Sequence, residues 1–67
     1  MSEDQYLEVR YKILHTDSPS LVKLGPGWYE SVKGYAQPYE LQITEKGLRF
    51  LACEVRFDPN CKTYTVL

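Results

Sequence analysis

Residues 6–15, YLEVRYKILH, alternate along the chain: Leu7, Val9, Tyr11 and Ile13 fall on one side, and Glu8, Arg10 and Lys12 on the other. A period of two is that of a half-buried strand, and the pattern predicts a first strand here. HTDSPS, residues 15–20, reads as a loop, because Asp17, Ser18 and Ser20 compete for backbone hydrogen bonds and Pro19 cannot donate one. SLVKL, residues 20–24, is a short second strand, closed by Gly25-Pro26-Gly27. In YELQIT, residues 39–44, the alternation places Tyr39, Leu41 and Ile43 inward, and TEKG, residues 44–47, makes a tight turn with Gly47 at the positive-φ position. Residues 48–57, LRFLACEVRF, change phase: Leu48 and Phe50 oppose Arg49, then Leu51, Cys53, Val55 and Phe57 oppose Glu54 and Arg56. One extra residue near Phe50 or Leu51 reconciles the two halves as a bulge in a bent strand. DPNC, residues 58–61, is a turn signal, and KTYTVL, residues 62–67, favours extended chain. The pair predicts a terminal hairpin in which Val55 faces Tyr64 and Cys53 faces Val66.

Two periods compete in the ring-rich stretch KLGPGWYESVKGYAQPY, residues 23–39. Trp28, Glu30 and Val32 share one side of a strand, whereas Trp28, Val32 and Tyr35 stand at i, i+4 and i+7, one face of a helix. Gly27 and Gly34 each weaken a helix by up to about 1 kcal/mol, which leaves at most one short helical turn over residues 27–36. The expected fold is mainly β: a small antiparallel barrel or strongly bent sheet of about five strands, residues 1–67 as a single domain with residues 1–5 a flexible start.

YELQITEKGLRFL, residues 39–51, also resembles the wing strand and following helix of winged-helix DNA-binding proteins, in which a strand, a Thr-x-Lys-Gly-like turn and an amphipathic helix succeed one another. Leu48, Leu51, Ala52 and Val55 match helical spacing, so residues 45–57 stand between a bent strand and a helix. The two amphipathic helices that such proteins need upstream have no counterpart in residues 1–38, where the best segment is a strand.

Length changes the picture through stability. A chain of 67 residues buries about 60% of the surface its unfolded form exposes, so its stability is modest without a staple. Cys53 and Cys61 are too few for a disulfide framework, and the expected hairpin holds them too far apart to bridge. With a single histidine, His15, which reads as solvent-facing, no four-ligand zinc set is available, and no cofactor motif is present. The acidic start MSEDQ lacks the basic and apolar regions of a secretory signal, and no apolar run approaches the roughly 20 residues that cross a bilayer. A cytoplasmic protein with no membrane partner is expected.

Eight Lys and Arg against nine Asp and Glu give a net charge of -1, so no whole-molecule field draws nucleic acid. Arg10, Lys12 and Arg49 are the residues of a possible nucleic-acid-binding barrel face, with Lys33 and Lys23 in support, yet each has an acidic residue close in sequence. Catalysis has little to work with. Cys53 falls on an apolar side, Cys61 has no histidine beside it, and Glu8, Glu40, Glu45, Glu54 and Asp58 read as solvated carboxylates without a paired arrangement.

Recognition of a protein remains. Trp and Tyr bury a large apolar area at little entropic cost, and the Gly and Pro punctuation brings some of these rings to the surface. The candidate partner-binding residues are Trp28, Tyr29, Glu30, Lys33 and Tyr35, with Trp28 and Tyr39 tending to structural roles and Tyr29 and Tyr35 to contact. The expected function is a non-enzymatic protein-binding module, a regulator, adaptor or inhibitor of a larger partner. A nucleic-acid-binding barrel and an accessory subunit of a larger assembly are the alternatives. Residues 62–67, as an edge strand, are expected to pair with a partner or with a second copy in a homodimer.

Overall fold

The computed structural model describes residues 2–67, arranged as α1 (Glu3–Leu14), β1 (Leu21–Leu24), α2 (Trp28–Tyr35), β2 (Leu41–Thr44), β3 (Gly47–Phe50), β4 (Cys53–Phe57) and β5 (Tyr64–Val66). The strands form one open sheet in the order β2-β3-β4-β1-β5. The sheet is mixed, since β1 runs parallel to β4 while the other neighbours are antiparallel. The expected barrel is therefore incorrect. The sheet does not close, and two helices cover one face of it in place of a single helical turn.

The first expected strand is α1. Residues 6–14 carry apolar side chains at 6, 7, 9, 11, 13 and 14, and both periods can be read from them. The segment holds the good helix formers Leu7, Glu8, Arg10, Lys12 and Leu14 and no Gly or Pro. Glu3 and Asp4 in its first turn and Lys12 in its last complement the helix dipole. The helix buries Tyr6, Val9 and Ile13, at i, i+3 and i+7, and leaves Leu7, Tyr11 and Leu14 in solvent. Residues 3–5 belong to its first turn.

β1, α2 and the hairpin of β2 and β3 lie where the pattern placed them, although α2 runs for 8 residues rather than one turn. Gly27 caps α2 at φ 84°, and its N–H donates to the Glu30 carboxylate at 2.8 Å. The phase change in residues 48–57 is real, but its cause is a turn. Leu51 and Ala52 both adopt positive φ, 51° and 69°, so the chain reverses between Phe50 and Cys53 and forms β3 and β4. No helix follows the Thr44–Gly47 turn, so the winged-helix resemblance carries neither fold nor function. The turn at 51–52 was hidden because it contains neither Gly nor Asn; Leu51 N–H is held by the Glu40 carbonyl at 2.8 Å.

The terminal hairpin is also corrected. β1 lies between β4 and β5, so that Val22 is registered with both Val55 and Val66, and Tyr64 with Leu24. The connection through residues 58–63 crosses the end of β1, tightened by Asn60 N–H to the Asp58 carboxylate at 3.0 Å. It crosses so close to Gly25 that a Cβ there would lie 1.9 Å from the Cys61 carbonyl oxygen, which is why glycine occupies the position.

Val22, Leu24, Phe50, Cys53 and Val55 point from the sheet into one core with Val9, Ile13, Tyr6 and Val32 from the helices. Each full burial of such a side chain stabilises by about 1.5–3 kcal/mol. Tyr39 and Ile43, expected inward, are exposed; Tyr39 precedes β2 and Ile43 lies on it, and β2 is an edge strand of the sheet. Glu40, expected in solvent, is buried, with its side chain 1% exposed. Its carboxylate accepts hydrogen bonds from Tyr6 Oη at 2.6 Å, Arg10 Nε at 2.8 Å and Gln37 N–H at 3.0 Å, tying α1 to the segment that enters β2.

Candidate protein-interaction site

α2 sorts the expected contact residues by its 100° step per residue. Trp28 turns toward β5, with its ring 5.0 Å from that of Tyr64, and so fastens the helix to the edge strand. Tyr29 points the other way, edge-on to Phe57 at 5.4 Å, while Lys33, one turn later, holds its Nζ 5.2 Å from the centre of the Tyr29 ring. A cation over a phenol face is worth about 0.5–1 kcal/mol at an exposed site. Tyr29, Glu30, Lys33 and Gly34 line an open depression of about 340 Å³. Gly34 lines it without a side chain.

Of the five expected contact residues, Tyr29, Glu30 and Lys33 come together. Trp28 and Tyr35 lie on the other side of α2, together with buried Val32, and Tyr35 is exposed near the helix end. Phe57 joins the cluster although the alternation had assigned it inward; it ends β4 where the sheet runs past α2, so one side of its ring stays in solvent. The signal available in the sequence was its position immediately before the Asp58-Pro59-Asn60 turn.

The three residues of the nucleic-acid alternative are not assembled. Arg10 is committed to Glu40, Lys12 extends from α1, and Arg49 lies on the helix-free face of the sheet, where its guanidinium donates to the Ala52 carbonyl at 2.6 Å. On that face the register places Lys23 beside Arg56 and Arg49 beside Glu54, and Arg56 meets Glu54 at 3.4 Å. The strand residues of this face include no aromatic ring, so it has no platform for stacking bases.

The titratable groups in the core are held in fixed states. Burial pushes the Glu40 carboxyl up, but the bonds from Tyr6, Gln37 and Arg10 outweigh it and hold the group below its ordinary value, hence ionised. Burial, then the bond to this carboxylate, pushes the Tyr6 phenol up to about 12. Burial likewise raises the Cys53 thiol, which points at the Pro19 carbonyl at 3.7 Å, an arrangement of a small core residue rather than a nucleophile. Cys53 and Cys61 are both free. Among the described residues no helix is long and apolar enough to cross a membrane. Comparison with protein families, curated proteins and solved structures finds no match to this chain.

Proposed function

We propose that this chain is a small non-enzymatic protein-binding module, a regulator, adaptor or inhibitor of a larger cytoplasmic partner, which docks on the outward face of α2. The reading rests on the cluster of Tyr29, Phe57 and Lys33 at the rim of the Gly34 depression. Tyr29, partly buried against the core, and the half-exposed Phe57 are already braced against each other and lose little freedom on binding, and Glu30 and Lys33 offer one charge of each sign to orient a partner. The edge strand β5 adds a second place where a partner strand, or a second copy, can pair.

Capture from the source lysate with wild-type, Lys33→Glu and Tyr29→Ala baits tests this reading. A protein held by wild type and weakened about 30-fold, or 2 kcal/mol, by both substitutions supports it. Equal retention by all three baits removes α2 from the interface. Submicromolar binding of a single-stranded oligonucleotide that falls steeply with salt would replace it with the nucleic-acid reading and move attention to Lys23, Arg49 and Arg56.

A further inference from the structure

α1 carries a second apolar stripe that its own fold does not use. Leu7, Tyr11 and Leu14 stand at i, i+4 and i+7 and are 47%, 64% and 54% exposed. The spacing keeps the three within about 60° of one another around the helix. Ser2 and Gln5, which both engage the Ser31 hydroxyl of α2, lie on the opposite side, so the stripe faces away from α2. An unfused helix face with this spacing is the geometry of a helix–helix seam.

We infer that the occupant of this seam is a second copy of the chain, with two α1 helices packed antiparallel about a two-fold axis between Arg10 and Tyr11. The sequence of the helix is self-complementary in that arrangement. With the axis between Arg10 and Tyr11, the rise of about 1.5 Å per residue brings Leu7 of each copy level with Leu14 of the other, and the two Tyr11 rings lie beside the axis. Glu8 lies on the flank of the stripe shared by Lys12 and His15. The two-fold carries this carboxylate, which also accepts from the Tyr64 hydroxyl of its own chain, to within one residue's rise of Lys12 on the partner copy, and by symmetry the acid-to-base match occurs twice. Arg10, on the other flank, is neutralised by Glu40 within its own chain, which removes the repulsion that two facing guanidinium groups would otherwise bring. The seam is short, so the dimer is a weak, concentration-dependent one of the small-interface class. It leaves the α2 depression of both copies free, and a dimer therefore presents that surface twice.

Sedimentation equilibrium across a concentration series, paired with amide chemical shifts on dilution, tests the seam. The wild type should show a monomer–dimer equilibrium with dilution shifts concentrated at Leu7, Tyr11 and Leu14. Tyr11→Glu should raise the dissociation constant about 30-fold or more while leaving the circular dichroism spectrum unchanged, because the replaced ring is exposed and Glu suits a helix. Leu7→Lys provides a second variant with the same expected loss. Glu8→Lys and Lys12→Glu should each weaken the dimer, and the double variant should regain most of the loss. A chain that stays monomeric to about 1 mM, or a dimer indifferent to Tyr11→Glu, as pairing through β5 would be, overturns the inference.

Discussion

Removing the Glu40 carboxylate is the most informative single change to the core. The group receives three hydrogen bonds, and its side chain is 1% exposed, while the Arg10 side chain is 42% exposed. In Glu40→Ala the buried Tyr6 hydroxyl and the Gln37 N–H lose their acceptor, each at about 1–3 kcal/mol, whereas Arg10 turns to water and leaves no buried uncompensated charge. The expected cost is about 3 kcal/mol, a large share of the roughly 3–10 kcal/mol available to a domain of this size. Glu40→Gln keeps an acceptor but loses the charge that strengthens all three bonds, and should cost about 1–2 kcal/mol. Urea denaturation followed by circular dichroism reads both values. At a slope of about 1 kcal/mol per molar, Glu40→Ala should move the midpoint by about 3 M. The pH dependence provides an independent check. The folded carboxyl lies below its ordinary 4.5, so its contribution is complete above that value and fades as pH falls from there through the folded pKa. Wild type should therefore lose stability in acid more steeply than Glu40→Gln, and the difference between the two curves isolates this one group. A Glu40→Ala change within about 0.5 kcal/mol of wild type at pH 7, or identical acid slopes, would show that the triad does not hold α1 to β2.

Gly25→Ala places a methyl group against the Cys61 and Thr63 carbonyls, with no side chain to move aside, and should cost about 3 kcal/mol or more with early loss of hydrogen-exchange protection in β5. A near-neutral result would mean that the 58–63 loop does not cross β1 there. Ala52→Gly relieves a positive φ of 69° at an exposed position and should raise the melting midpoint by the equivalent of about 1 kcal/mol, whereas destabilisation would argue against a β3–β4 turn. Trp28→Ala should cost about 3 kcal/mol through the lost Tyr64 contact, and Tyr35→Ala about 0.5 kcal/mol, so similar losses at the two sites would contradict their assignment to packed and exposed positions.

Local chemistry alone located β1, the β2–β3 hairpin, the Asp58 turn and the extended β5. After Gly27 it allowed no more than one helical turn, where the structure has the eight residues of α2. In each case turn residues bracket a short run, and the signal depends only on neighbours in the chain. That Tyr29, Glu30 and Lys33 come to one partly exposed face of α2 follows from their spacing in that helix. What required the tertiary structure was every choice between alternatives of similar local cost. Residues 6–14 satisfy both a period of two and a period of 3.6. The helix prevails where Tyr6, Val9 and Ile13 find the core and the Tyr6 hydroxyl finds Glu40, a partner 34 residues away. Leu51 and Ala52 form a turn without turn residues because β3 and β4 hold them from both sides and Glu40 accepts the Leu51 N–H. Ile43 and Phe57 sit on the apolar side of their strands and are still exposed, because Ile43 lies on an edge strand and Phe57 at the end of the central strand β4, where two short helices do not cover the sheet. Strand order is the extreme case. The insertion of β1 between β4 and β5 depends on pairings more than 30 residues apart, and backbone hydrogen bonds, which supply them, are the same for every side chain.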